Sequence, residues 1–212
     1  MKGYLDFIVK PVDGRYNNRK FVDGKELILN TELENHNYVS RIAEVVYEPY
    51  KNETGISVGD KVIVHHNVFR RFRDIRGEEK NSKSYYGDGM YIVQLNQIYA
   101  YDKVDESCNC PRWFACEGFN LVKPIKETKM FSTNFEKPLV GVLKVKDPKL
   151  NGLHEEDLIG FGPSSEYEFI IGAQRLYRVP TTSITIKYER TGNEEEYNPS
   201  WTESGGGINK SS

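Results

Sequence analysis

Four stretches of the first half of this chain return, in the same order, in the second half. Asp6-Phe7-Ile8-Val9-Lys10-Pro11-Val12 is echoed by Phe119-Asn120-Leu121-Val122-Lys123-Pro124-Ile125. Residues 42–46 are echoed by Val140-Gly141-Val142-Leu143-Lys144-Val145, and Gly59-Asp60-Lys61-Val62-Ile63-Val64 by Glu156-Asp157-Leu158-Ile159-Gly160-Phe161. Met90-Tyr91-Ile92-Val93 with Gln97-Ile98-Tyr99-Ala100 is echoed by Leu176-Tyr177-Arg178-Val179 with Ser183-Ile184-Thr185-Ile186, and the spacing from tyrosine to isoleucine is the same in both. One such echo is weak evidence, but an ordered set predicts one small unit folded twice.

The echoed stretches are short, β-branched and punctuated by Pro and Gly. Residues 56–64 alternate with period two apart from the Gly-Asp corner, and residues 68–76 alternate roughly. These are strand signals, and no amphipathic helix longer than two turns stands out. The expected fold is all-β: two tandem small β-barrels, over residues 1–105 and 118–190, the second shorter. Residues 106–117 read as a linker. From residue 191 the chain turns polar, with Glu194-Glu195-Glu196 and Gly205-Gly206-Gly207, so 191–212 reads as a flexible C-terminal tail.

Between the strand at residues 6–12 and the strand at 39–47 lies the polar, turn-rich segment 14–37. A connection of about two dozen residues inside a small domain is uncommon and usually functional or disordered. It carries one tight apolar run, Leu27-Ile28-Leu29, which reads as a patch to be buried in a partner. The corresponding connection in the second repeat, 126–138, is short, with Met130, Phe131 and Phe135 as its apolar residues and no aliphatic tripeptide.

Charge and motifs narrow the function. Basic residues number 29 and acidic residues 31, so no global bias points to nucleic acid or membrane. No apolar run reaches the ~18 residues of a transmembrane helix. The N-terminal apolar run is short and broken by Asp6, unlike a signal peptide. The expected location is cytoplasmic. P-loop, G-x-G-x-x-G, G-x-S-x-G and H-E-x-x-H motifs are absent, so no enzyme activity and no cofactor are expected. Cys108, Cys110 and Cys116 cluster in the linker; a zinc site wants a fourth ligand, which His65, His66 or His154 could supply only through the fold. Reduced cysteines and surface histidines are the simpler expectation.

Taken together, residues 8–12, the long loop with its tripeptide, residues 41–46, Ile56-Ser57-Val58-Gly59-Asp60-Lys61-Val62 and residues 90–101 resemble the GroES-type (10 kDa) co-chaperonins. The resemblance covers most of residues 1–103 and, more faintly, 118–188. The short turn at 47–55 takes the place of the roof hairpin and is closer to the trimmed phage-encoded versions; residues 72–89 are longer than that family's pattern. The resemblance implies GroES-like barrels, a homo-oligomeric ring, possible heptamer symmetry, and an ATP-dependent 60 kDa chaperonin ring as partner. It gives the chaperonin-binding role to Leu27, Ile28 and Leu29. The same fold occurs in medium-chain alcohol dehydrogenases, which need a Rossmann domain that this chain lacks.

Two other readings compete. Arg70, Arg71, Arg73 and Arg76, interleaved with Phe69 and Phe72 and followed by Tyr85 and Tyr86, could form a single-stranded nucleic-acid face. The slight acidic excess favours instead a strand with a basic solvent face. The barrel could also serve a virion as a structural or decoration protein.

Overall fold

The computed structural model describes residues 3–16, 19–22, 25–28, 38–105, 110–128, 135–171 and 174–199. The chain divides into two compact units, Met1–Trp113 and Phe114–Ser212. Both are all-β; among the described residues helix is confined to short 3-10 turns such as His66–Val68, Leu95–Gln97 and Thr181–Ser183. No helix among them is long and apolar enough to cross a membrane.

The first unit contains β1 (Phe7–Pro11), β2 (Arg19–Val22), β3 (Lys25–Ile28), β4 (Ile42–Tyr47), β5 (Lys61–Val64) and β6 (Arg71–Arg73). It continues with β7 (Glu79–Asn81), β8 (Tyr85–Gly87), β9 (Met90–Val93) and β10 (Ile98–Asp105), and β11 (Cys110–Ala115) joins its sheet while running across the unit boundary. Seven of these form one sheet in the order β11-β10-β5-β4-β1-β9-β8, and two separate hairpins pair β2 with β3 and β6 with β7. The second unit contains β12 (Phe119–Lys126), β13 (Glu136–Val145), β14 (Leu158–Phe161), β15 (Tyr167–Ile171), β16 (Gln174–Pro180) and β17 (Ile184–Tyr188). These form a six-stranded sheet in the order β15-β16-β12-β13-β14-β17.

Without the hairpins and β11, the first order reads β10-β5-β4-β1-β9-β8 and the second β17-β14-β13-β12-β16-β15, so each strand has a counterpart in chain order. The match extends to register. Val9 faces Val45 on one side and Tyr91 on the other, and its counterpart Val122 faces Leu143 and Tyr177. The β1–β4 ladder slips between Ile8 and Val9, and the β12–β13 ladder slips between Leu121 and Val122. Such bulges re-aim side chains and recur as built features. The turns before β5 and β14 also agree: the Asp60 carboxylate accepts from the Ser57 N–H at 2.7 Å, and the Asp157 carboxylate from the His154 N–H at 2.8 Å. Every echo read from the sequence falls on a pair of counterpart strands.

Burial of alternating β-branched and aromatic side chains holds each unit together. Val9, Val45, Val62, Val64, Phe69 and Tyr91 are buried in the first. In the second, Val122, Leu143, Ile159, Phe161, Tyr177 and Val179 form one cluster, and Ile125, Val140, Val142 and Leu158 a smaller one.

Three expectations change. In hydrogen bonding each sheet is open, not a closed barrel, with β8 and β11 as the edges of one and β15 and β17 as the edges of the other. Residues 110–115, expected in a linker, form strand β11 at the edge of the first sheet. Residues 191–199, expected in a flexible tail, are docked: Lys126 N–H donates to the Glu195 carbonyl and Tyr197 N–H to the Pro124 carbonyl, each at 2.8 Å. Past its proline β12 runs on to Lys126, which faces Glu136 of β13 as well as the docked segment, while β1 stops at Pro11. Pro124 offers no N–H to a ladder, but its carbonyl finds a donor in the added segment. The rest of the expected tail, 200–212, lies outside the described residues.

Candidate partner-binding site

Both hairpins of the first unit are insertions. The β2–β3 hairpin stands between β1 and β4, where the second unit crosses from β12 to β13 by residues 127–135. The β6–β7 hairpin stands between β5 and β8, where the second unit crosses from β14 to β15 by residues 162–166. The second unit's sheet has the same strand order without either.

One set of contacts ties the two insertions together. Arg15, on the way into the first, donates from Nε to the Phe69 carbonyl at 3.1 Å and from Nη1 to Asn81 Oδ1 at 2.8 Å. Its guanidinium lies 5.4 Å from the Tyr91 ring centroid, and burial holds it below its ordinary pKa. Tyr16 Oη accepts the Arg71 N–H at 2.7 Å, and the Arg71 guanidinium lies 5.1 Å from the Tyr16 ring. Tyr16 also bridges Val39, and Ser40 N–H donates to the Arg15 carbonyl at 2.9 Å, which closes the neck of the loop. An arginine forking to two acceptors is a geometric fixture that lysine would not reproduce. The neck is therefore pinned to the core.

Beyond the neck, Lys20 faces Leu27 and Arg19 faces Ile28 in the β2–β3 ladder. Leu27 and Ile28 thus sit at the end of a strand, in an extended backbone; Leu29 lies outside the described residues. Sequence reasoning placed the tripeptide in a loop and missed this hairpin, although Val22-Asp23-Gly24-Lys25 carries the Asp-Gly signal of a two-residue turn. Arg15 carried no pattern by which it could have been found.

The second hairpin holds the arginines singled out in the sequence. Arg71 pairs with Glu79, and Lys80 with Glu78 at 2.7 Å, so part of the positive charge is met within the hairpin. Arg70, Arg73, Lys83 and Phe72 line a groove of about 560 Å³ with polar neighbours such as Asn67 and Gln97. Phe69, expected on the same face, is fully buried, and Tyr85 packs edge-on against Tyr91 at 5.4 Å. Only Phe72 and Tyr86 of the four aromatics stay accessible without that packing role.

The remaining candidates take structural places. His65 and His66 stack at 4.2 Å, and His65 Nδ1 accepts the Asn67 N–H at 3.0 Å, capping the short turn. His154 opens the turn before β14. Cys116 is buried with a free thiol whose pKa burial pushes up to about 12, which makes it a poor nucleophile. Cys108 lies outside the described residues, and among the described residues no group of three His, Cys, Asp or Glu side chains is placed to hold a metal. No protein-family model matches the chain, and no curated protein matches it either.

Proposed function

We propose that this protein is a co-chaperonin, a GroES-like double unit that caps a chaperonin ring through the segment carrying Leu27, Ile28 and Leu29. The observation that carries the reading is the placement of that segment. It is an insertion between two strands whose counterparts in the second unit are joined without it, and its neck is pinned by Arg15 and Tyr16. The order of strands about it, with the Gly-Asp turn before β5, fits the pattern that the sequence resembles. In this reading the open sheets are incompletely closed versions of that family's barrels.

Energetics explain why an apolar tripeptide on such a segment suits a partner that must be released. Burying three aliphatic side chains is worth roughly 1.5–3 kcal/mol each. Ordering the backbone costs about 1–2 kcal/mol per residue fixed. One copy binds weakly; several on a homo-oligomeric ring, such as a heptamer, bind firmly through effective concentration and still let go together. ATP hydrolysis belongs to the partner.

The test is retention by a 60 kDa chaperonin ring in the presence of ATP. The variant Leu27→Ala, Ile28→Ala, Leu29→Ala is expected to lose binding by at least about 100-fold, since each truncation removes part of a burial term that the ring multiplies. Equal binding of variant and wild type overturns the assignment. So does retention on single-stranded nucleic acid with no binding to the ring.

A further inference from the structure

The docked segment that follows residue 191 shows what its seat recognises. Glu196 bridges Ile125 as an antiparallel partner, between the hydrogen bonds that join Lys126 to Glu195 and Tyr197 to Pro124. Residues 195–197 thus lie along the end of β12 as a short added strand. Its side chains and that of Asn198 meet cations. Glu195 pairs with Lys126 and Glu196 with Lys144, each at 2.5 Å, and the Tyr197 ring centroid lies 5.9 Å from the Arg175 guanidinium. Asn198 Oδ1 accepts from Lys123 Nζ at 3.1 Å and from the Arg175 backbone N–H at 3.0 Å. In the first unit Asp13 stands at the position of Lys126, and Lys10, at the position of Lys123, is exposed. The basic seat is therefore a feature of the second unit.

The segment covers its seat at a cost. Lys126 and Glu195 are both more than half exposed, so their pair contributes little. Beneath the segment Lys123 is 2% exposed, and the oxygen it meets belongs to a neutral amide. Burial holds its ammonium below the ordinary lysine pKa, against the opposing pull of the nearby Glu196 charge. A cation buried against a neutral partner forfeits hydration that it regains when uncovered. The two backbone bonds and the covalent tether, which sets an effective concentration on the order of millimolar, offset that cost.

We infer that this seat is an acceptor for an acidic, extended segment of a partner protein, which adds to the end of β12 in place of the chain's own residues 195–198. The Pro124 carbonyl and the Lys126 N–H fix its register, as they do for the residues now bound there. Two successive carboxylates answer Lys126 and Lys144, and an aromatic ring follows beside Arg175. A carboxylate at the place of the Asn198 amide gives Lys123 the charge-assisted bond that the chain's own segment does not supply. A partner of the pattern acidic-acidic-aromatic-acidic therefore competes with the tethered segment, which acts as a built-in inhibitor of the site.

The test uses the full chain and the peptide acetyl-Asn-Glu-Glu-Glu-Tyr-Asp-Pro-amide, which repeats residues 193–199 with Asp at the place of Asn198. In hydrogen exchange of the unaltered chain, excess peptide is expected to lower protection of the Tyr197 amide at least fivefold and to leave the Lys126 amide protected, because the peptide supplies it with a new acceptor. In calorimetric titration the variant Glu195→Ala, Glu196→Ala, Tyr197→Ala, which removes the competitor's contacts, is expected to bind one peptide at least tenfold more tightly than wild type. Adding Lys126→Glu to that variant, or replacing the peptide's second and third Glu by Lys, is expected to weaken binding at least tenfold. The exchange experiment needs no substitution and decides the matter should the triple variant fail to fold. Unchanged protection at Tyr197, an equal fall at Tyr197 and Lys126, or binding indifferent to the peptide's charge overturns the inference.

Discussion

The two units share a strand register and the slip beside Val9 and Val122, but they place opposite chemistry at the same corner. In the first unit the corner positions are Phe7, Pro49 and Leu95, with Phe7 and Pro49 buried. Their counterparts are Asn120, Asp147 and Thr181. Asn120 Nδ2 donates to Thr181 Oγ1 at 2.9 Å, Asn120 Oδ1 accepts the Asp147 N–H at 2.9 Å, and Thr181 Oγ1 donates to Asp147 Oδ2 at 2.5 Å. Asp147 also accepts from the N–H groups of Gly118 at 3.0 Å and Lys149 at 2.9 Å. A buried polar cluster is tolerable only when all its members are satisfied, and this one is closed on itself. The same register positions therefore accept either apolar residues or a complete hydrogen-bond network.

The sharpest way to break this equivalence is Asp147→Ala. It leaves the Gly118 and Lys149 N–H groups and the Thr181 hydroxyl without an acceptor in a site that is 3% exposed. The expected loss is about 3 kcal/mol in denaturant unfolding. The triple change Asn120→Phe, Asp147→Pro, Thr181→Leu imports the first unit's solution and is expected to recover more than half of that loss. Should the triple variant be less stable than Asp147→Ala alone, the two corners are not interchangeable and the comparison fails at this point.

A smaller effect is expected at the turn before β5 and β14. Gly59 and Glu156 occupy the same place, donating N–H to the carbonyls of Val45 at 2.8 Å and Leu143 at 2.7 Å. Both have positive φ, +92° and 71°, which glycine adopts freely and glutamate does not. Gly59→Glu is expected to cost about 1 kcal/mol. Glu156→Gly is expected to gain about half as much, because the relief of strain is partly offset by loss of exposed ion pairs with Lys144 and Arg190. Opposite signs in thermal unfolding support the equivalence of the two turns; the same sign in both would refute it.

How much of this was legible depended on whether the signal was periodic. Hydrophobic order and β-branching placed β1, β4, β5, β9 and β10 and their counterparts, because burial on a sheet face writes itself into the sequence every second residue. The ladder slips at Ile8–Val9 and Leu121–Val122 left no such trace. Strand β11 was hidden because Cys110-Pro111-Arg112 reads as turn chemistry, and an edge strand needs few apolar residues. Residues 68–76 looked like one alternating strand; in fact Phe69 ends a 3-10 turn and enters the core, and only Arg71–Arg73 is strand. The basic seat under residues 195–198 was out of reach altogether, since its cations come from residues as far apart as Lys123 and Arg175. Of the candidate site, the sequence yielded the apolar tripeptide but not the Arg15–Tyr16 contacts at the start of its segment.

The segment at 191–199 is the second unit's own addition, and its least conspicuous part gives the smallest predicted effect. Glu194 folds back on the turn that begins it, accepting from the Thr191 N–H and hydroxyl at 2.8 Å and from the Gly192 N–H at 2.9 Å. The Thr191 backbone N–H, helped by its hydroxyl, holds the Glu194 carboxyl at a pKa of about 2, below its ordinary 4.5. A depressed carboxylate pKa contributes stability that is fully present above the unfolded value and is lost as pH falls through the folded one. Docking is therefore expected to hold above pH 4.5 and to weaken as pH falls from there to about 2. The readout is the protection of the Tyr197 and Lys126 amides, which bond across the docked segment, in hydrogen exchange corrected for intrinsic rates. Glu195 and Glu196 pair nearby with Lys126 and Lys144, so the control is Glu194→Gln, which keeps those pairs. The variant is expected to show lower protection above pH 4.5 and a shallower decline below it. If wild type and variant decline in parallel, the acid sensitivity belongs to the ion pairs, and the turn at Glu194 contributes nothing to holding the segment down.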